Sequence, residues 1–155
     1  MEKLFLIAAL EALQTHINLI FKQLHKEKII MARIAIELEF ITKASPGIVY
    51  KFLTATDCLV RWFSDEVDIT GDLFTFGWNG AYEVAEMVDD IEEERVRFKW
   101  QDADEDEYLE FRMYKSDVTN ETIIEITDFC DDDEEQAQRD LWDTQIFKLK
   151  QYSGG

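Results

Sequence analysis

Short segments in which apolar and polar residues alternate dominate this chain. One runs from Ala32 to Ile41, and six more lie between Glu66 and Cys130. A period of two is typical of strands that bury one face. Turn residues separate the segments, and Asn79-Gly80 is the strongest hairpin signal among them. The pattern predicts an antiparallel sheet of about seven strands, the last six over residues 66–69, 73–78, 81–88, 95–100, 108–115 and 121–130.

Helix signals follow the first strand and close the chain. Ser45 and Pro46 place a hydroxyl at an N-cap and a proline at the first helical position, which predicts a short helix to Phe52. A second short helix is predicted over residues 57–63. The acidic run 131–135 opens a last helix that extends to Tyr152. Its only broad apolar partner is the inner face of a curved sheet, so the chain is predicted to be α+β, with the sheet wrapped around this helix.

Residues 1–30 differ from the rest of the chain. Their apolar residues recur at helical spacing, and they hold both histidines, His16 and His25. A signal peptide is disfavoured because Glu11 interrupts the apolar run and no A-x-A site follows. The run also falls short of the roughly 20 apolar residues that a membrane span needs, so we expect no span.

Two interpretations of this segment stay open. It is either an amphipathic helix, docked on the domain or holding two copies together as a homodimer, or an artefact of a translation start that really lies at Met31. The chain is accordingly divided into an N-terminal extension, residues 1–30, and a domain, residues 31–155. Function is placed in the domain.

The charge of the chain restricts its partners. It carries 34 acidic and 16 basic side chains, a formal net charge of −18. Nucleic acid is disfavoured because its binding needs Lys and Arg set against phosphates, and an anionic membrane surface is disfavoured for the same reason. A highly soluble cytoplasmic protein or one with a basic protein partner fits the charge. Cys58 and Cys130 form no metal or redox spacing, which favours two buried thiols in a reducing cytoplasm.

Residue types that carry common chemistries are missing from the domain. Residues 31–155 contain no histidine, which disfavours a Ser or Cys hydrolase and excludes a His-ligated zinc or iron site. Asp102, Asp104 and Asp106 alternate like the start of a calcium loop. The positions that need glycine and glutamate hold Glu107 and Met113 instead. We therefore expect no metal and no cofactor.

Aromatic residues of the predicted strands share faces with one another and with the last helix. Taken singly they are ordinary core residues, but together they favour a lined cavity, because bulky rings on a curved sheet seldom close tightly on one helix. The predicted walls of this cavity are Trp62, Phe76, Trp78, Phe98, Trp100, Phe111, Ile126, Asp128, Trp142 and Ile146.

Asp128 is the one predicted wall residue with an ionisable side chain. It shares the parity of Ile124 and Ile126, which points it inward unless the end of the strand bulges. A buried carboxylate there would anchor a ligand or act as an acid or base.

The order strand, two short helices, six strands and long helix resembles the helix-grip fold of the START-like superfamily, also called SRPBCC. The likeness covers residues 32–152 and is carried by Ser45-Pro46, Leu59-Val60-Arg61-Trp62-Phe63 and Leu141-Trp142-Asp143. Within the superfamily, the chain is most similar to the branch named for the activator of the heat-shock protein ATPase. Gly77, Asn79 and Gly80 match the family's glycine-rich strand turn only loosely.

Three functions compete on this basis. The first is non-enzymatic binding of a small hydrophobic ligand or lipid in the cavity. The second, implied by the resemblance, is an acidic, co-chaperone-like protein-interaction module. The third is an enzyme of cyclase or hydratase type, which the lack of histidine and of a clear acid–base pair disfavours. One scaffold hosts many functions, so fold alone does not separate the three.

Overall fold

The computed structural model describes residues 2–28 and 32–155, and the side chains of residues 3–24 and 32–155. These residues form two compact units, one containing a single helix, α1 (Glu2–Lys28), and the other Arg33–Gly155. The second unit contains, in order, β1 (Arg33–Thr42), α2 (Pro46–Thr54), α3 (Thr56–Trp62), β2 (Glu66–Thr70), β3 (Leu73–Trp78), β4 (Ala81–Ile91), β5 (Arg95–Trp100), β6 (Leu109–Lys115), β7 (Thr122–Asp131), a 3₁₀ turn (Asp132–Glu134) and α4 (Glu135–Ser153).

The seven strands form one antiparallel sheet in the order β1-β7-β6-β5-β4-β3-β2. Strands β2 to β7 are a meander, and β1 lies against β7 along its full length, from Arg33 opposite Asp131 to Thr42 opposite Thr122. Helix α4 packs on the inner face of this sheet through Trp142, which is buried together with Ile146 and Leu149. The predicted fold class, a curved antiparallel sheet around a long C-terminal helix with two short helices after the first strand, is confirmed.

The first short helix begins as its sequence predicts. The Ser45 Oγ accepts a hydrogen bond from the backbone N–H of Ile48, and Pro46 occupies the first turn. The Trp62 indole at the end of α3 donates to the Phe52 carbonyl at 2.9 Å, which ties the two short helices together. This pair covers the centre of the sheet, so the space left open lies towards one end.

Two element boundaries differ from the predicted ones by three or more residues, and the others by one or two at most. Strand β4 was expected to end at Val88 before an acidic loop, but it continues to Ile91. A β-bulge between Met87 and Asp89 shifts the register and keeps the strand paired with β5. At the start of the last helix, the acidic run forms a 3₁₀ turn and α4 begins only at Glu135.

Every second side chain along β7 is buried, as expected for a strand with one face in the core. Thr122, Ile124, Ile126, Asp128 and Cys130 are buried, and the residues between them are half-buried. Both cysteines are free and buried, and burial raises the pKa of each thiol.

Helix α1 carries many exposed apolar side chains. By length and composition, Lys3–Leu24 is able to cross a membrane, so the expectation that this run falls short was wrong. Signal sequences and the core helices of soluble proteins meet the same criterion, which makes the finding weak evidence of a span. Met31, the alternative start, lies outside the described residues. The exposed side chains are Leu4, Phe5, Leu6, Ile7, Leu10, Leu13, Ile17, Leu19, Ile20, Phe21 and Leu24.

Candidate functional site

A cavity of about 850 Å³ lies between the inner face of the sheet, the β5–β6 loop and α4. Its volume is within the range of small-molecule sites, which is about 300–1,000 Å³. The loop residues Gln101, Asp102 and Asp104 are exposed, so the cavity opens to solvent on that side. Its apolar lining comes from both the sheet and α4, and consists of Phe63, Trp78, Val84, Trp100, Ala103, Tyr108, Leu109, Phe129, Leu141 and Trp142.

Three aromatic rings, which we call the aromatic wall, form one side of the cavity: Phe63, Trp78 and Trp100. The Phe63 ring packs edge-on against Trp78 at 5.6 Å between centroids and stacks with Trp100 at 6.5 Å. The Trp78 indole N–H donates to the Phe63 carbonyl at 2.9 Å, which fixes its orientation. All three side chains are only half-buried, so part of each ring remains available to a ligand.

Strand β4 contributes a carboxylate to this side of the cavity. Glu83 is paired in register with Phe76, Ala81 with Trp78 and Ala85 with Phe74, so these β4 residues lie on the inner face of the sheet. The side chain of Glu83 lines the cavity and is exposed.

Asp128 forms the polar end of the cavity and lies inward, as its parity predicted. Its Oδ1 accepts a hydrogen bond from the Phe129 backbone N–H. Its Oδ2 accepts from the Gln138 amide and from the Trp142 indole, both at 2.8 Å. The carboxylate therefore holds α4 against β7, and its three bonds leave it a structural anchor rather than a free acid or base.

A bidentate ion pair borders the mouth of the cavity. Arg33 on β1 donates to both carboxylate oxygens of Glu107, at 2.7 and 2.6 Å, and to Asp131 at 3.2 Å. The hydrogen bond from Arg33 is the main cause that lowers the pKa of Glu107, against the opposing effect of burial. The only cationic side chain that lines the cavity within residues 32–155 is thus already paired.

The structure separates the ten predicted wall residues into three groups. Trp78, Trp100, Asp128 and Trp142 line the cavity. Trp62, Phe76, Phe98 and Phe111 surround only a void of about 10 Å³, because rings from adjacent strands interlock edge-on with one another and with α3. Ile126 and Ile146 are packed in the core. The predicted cavity is therefore displaced from the centre of the sheet towards one end, and contact of these residues with a ligand stays a prediction.

Sequence reasoning missed several lining residues. Phe63 directly follows Trp62, which was predicted as a wall residue. The alternation of β4 would have placed Glu83 on the inner face together with Ala81 and Ala85. Gln138 lies one helical turn before Trp142, a spacing that puts both on one face of α4. The sequence pattern for each of these residues was present. Its interpretation required knowing which strand or helical turn packs against that residue.

The described part of the chain contains no evident metal-binding site. No group of three or more His, Cys, Asp or Glu side chains is placed there to hold an ion.

Comparison with known proteins identifies the family. The family model for the START-like superfamily domain matches residues 30–155. A Bacteroides fragilis protein solved by NMR in solution is 30% identical over 79% of this chain and 92% of its own length, with a TM-score of 0.58. No curated protein matches the chain.

Two more distant structures share the fold alone. The Aha1 dimer from Colwellia psychrerythraea is 20% identical over 77% of this chain and 96% of its own, with a TM-score of 0.66. DynU16, a putative protein in the dynemicin biosynthetic locus, is 15% identical over 76% of this chain and 46% of its own, with a TM-score of 0.65. The order of elements, the sheet closed on α4 and the matched family model together show that this chain belongs to the START-like superfamily.

Proposed function

We propose that residues 31–155 bind a small hydrophobic molecule in the cavity between the sheet and α4, without catalysing a reaction on it. The observation that carries the proposal is the cavity of about 850 Å³ walled by the half-buried rings of Phe63, Trp78 and Trp100. The void among the core rings of Trp62, Phe76, Phe98 and Phe111 has a volume of only about 10 Å³. Open space of this size beside aromatic rings is typical of ligand sites.

Burial of apolar surface would supply most of the binding free energy. Each Å² of ligand surface removed from water contributes roughly 25 cal/mol, and the flat wall suits a ring system or an acyl chain. START-like proteins commonly bind hydrophobic ligands, which supports the same assignment.

The two buried carboxylates of the cavity, Asp128 and Glu107, favour binding over catalysis. Asp128 already accepts three hydrogen bonds, and Glu107 is paired with Arg33. A general acid or base must have a proton to exchange with the substrate, and these two carboxylates are occupied by the protein itself.

A cavity-filling substitution tests the proposal. Leu141 lines the cavity from α4 and is 49% exposed, so Leu141→Trp should fill its mouth without disturbing the core. The matched control is Phe147→Trp, an exposed position of α4 that does not line the cavity. Native mass spectrometry and thermal shift with a panel of apolar compounds provide the readout.

The wild type and Phe147→Trp should retain a bound apolar molecule and gain thermal stability with it, whereas Leu141→Trp should lose about tenfold or more in affinity. Equal binding by all three proteins would show that the ligand does not bind in this cavity. Failure of the wild type to bind any apolar compound would contradict the proposed function.

An acidic protein-interaction module is the second candidate. Its specific support is charge: residues 1–30 hold four Lys against three Glu, so residues 31–155 carry a net charge of −19. The similarity to the Aha1 dimer is compatible with self-association, including a homodimer through α1. A basic partner should lose affinity steeply as salt rises and bind Leu141→Trp as well as it binds the wild type.

The compartment proposed for either function is the cytoplasm. Cys58 and Cys130 are buried and free, which suits a reducing compartment.

A further inference from the structure

One carboxylate on the inner face of the sheet has no protein partner among the described residues. Glu83 lines the cavity and forms neither an ion pair nor a side-chain hydrogen bond there. Glu83 is exposed at the cavity, whereas Asp128, three strands away, is buried and accepts three hydrogen bonds from the protein. The Glu83 carboxylate is therefore free to pair with a cationic group of a ligand that enters the cavity.

Glu83 lies between the two tryptophans of the aromatic wall. Trp78 is opposite Ala81 and Trp100 is opposite Ala85, so each is a diagonal neighbour of Glu83 on the same face of the sheet. Diagonal neighbours are about 7–8 Å apart, within reach of long and aromatic side chains. The two indole rings are 6.4 Å apart between centroids. A cation placed beside Glu83 would therefore also meet the π-faces of the wall.

Apart from Arg33, the charged side chains that line the cavity are all carboxylates. Asp102 and Asp104 are exposed at the mouth and form no ion pair within residues 32–155. The Gln145 Oε1 is buried without a hydrogen-bond partner in the described structure. In contrast, the Arg33 guanidinium, the Gln138 amide and the Trp142 indole already donate to carboxylates of the protein. The charge of the lining therefore favours a ligand that brings a positive charge.

We propose that the ligand is an amphiphilic amine, with its apolar part on the aromatic wall and its protonated amino group beside Glu83. This inference rests on the proposed function. An ammonium group has N–H donors and no acceptor, which complements the free carboxylates and the Gln145 oxygen. Anionic amphiphiles such as fatty acids are disfavoured by the same charges.

Three ligands that share a naphthalene body test the charge preference. They are 2-naphthylmethylamine, 2-naphthylmethanol and 2-naphthoate, titrated calorimetrically into the full chain at about pH 7 and about 50 mM salt, where the amine is protonated. The amine should bind about tenfold more tightly than the alcohol, and the carboxylate most weakly. The difference should shrink at about 500 mM salt because the charges are screened.

Glu83→Gln and Glu86→Gln form a matched pair for the residue assignment. Both remove one negative charge from β4, but Glu86 is three residues further along and lies on the opposite face of the sheet. Glu83→Gln should lower the affinity for the amine about fivefold to tenfold and leave the alcohol unchanged. Glu86→Gln should change neither.

Each other outcome overturns part of the inference. Equal affinities for amine, alcohol and carboxylate would overturn the amine preference and leave hydrophobic binding standing. Equal losses in the two variants would show that only the overall charge acts, which removes the role of Glu83. Absence of binding for all three ligands, with no other apolar compound bound, would overturn this inference together with the proposed function.

Discussion

Individual carboxylates in this protein have different roles, which depend on the groups that surround them. Asp128 is bound by three N–H donors and joins β7 to α4, whereas Glu83 faces the cavity without a protein partner. Glu110 is enclosed by two arginines on the other face of the sheet. Residue type alone does not distinguish these three cases, because the surroundings set what each carboxylate does.

Asp128→Asn tests the anchoring role. An asparagine keeps one acceptor oxygen, and its amide N–H₂ would face the donors of Gln138 or Trp142. The substitution should lower the free energy of unfolding by about 1–3 kcal/mol, measured by urea denaturation. Asp143→Asn, at an exposed position of α4, is the control and should stay within about 0.5 kcal/mol of the wild type.

The ionisation of the buried Glu110 carboxylate makes the free energy of unfolding depend on pH in the acid range. Burial alone would raise its pKa, but hydrogen bonds from Arg112 and Arg97, both at 2.7 Å, outweigh burial and hold the pKa below its ordinary value. A lowered pKa in the folded state stabilises the protein above the pKa of the unfolded chain. That stability is lost as the pH falls through the folded-state pKa.

Glu110→Gln should therefore cost about 1–2 kcal/mol of unfolding free energy at neutral pH. The difference from the wild type should shrink as the pH falls below about 4.5, as the wild-type carboxylate becomes protonated. Urea denaturation at a series of pH values measures both quantities. A difference that stays constant down to about pH 3 would contradict the linkage.

At the scale of elements, turn chemistry and register position the cavity. The β3–β4 hairpin turns at Asn79 and Gly80, both with positive φ (49° and 83°), as the Asn-Gly pair predicted. This turn sets the pairing of Trp78 with Ala81 and of Phe76 with Glu83. The inward position of Glu83 thus depends on a two-residue loop.

Gly80→Ala tests that dependence. Alanine at φ 83° is strained, so the substitution should cost about 1–2 kcal/mol of unfolding free energy. Ligand affinity should fall with it if the strain is relieved by a shift of the hairpin. Val118→Ala, in the exposed β6–β7 turn and outside the left-handed region, is the control and should change neither quantity. An unchanged unfolding midpoint for Gly80→Ala would show that the turn tolerates a side chain.

At the scale of the whole molecule, the buried core belongs to the START-like domain. Every buried hydrophobic residue of the described core lies within Arg33–Gly155, whereas the described apolar side chains of α1 are exposed. Arg33–Gly155 therefore contains a hydrophobic core of its own.

A chain of residues 31–155 should accordingly unfold at the same urea midpoint as the full chain. It should also lose the self-association or detergent binding that we expect of α1, measured by light scattering and by detergent-induced shifts in elution. A domain that fails to fold without residues 1–30 would show that α1 completes its core. Equal association by both chains would remove the homodimer through α1.

Local pattern by itself determined the elements of this protein. Alternation placed the seven strands, Ser45-Pro46 began the first short helix, and Asn79-Gly80 closed its hairpin, because each depends on neighbours within a few residues. The family resemblance followed from the order of these elements. Even Asp128 was correctly placed inward, since parity is a local property of a strand.

Only the tertiary structure decided where space remains and which polar groups are free. Phe76, Phe98 and Phe111 have the same sequence signature as Trp78 and Trp100, yet they interlock under α3, while the latter two border the cavity. Packing of this kind depends on residues from four or more elements at once, which no local pattern contains. The same reason separates Asp128, which α4 supplies with two hydrogen-bond donors, from Glu83, which is exposed and has no protein donor among the described residues.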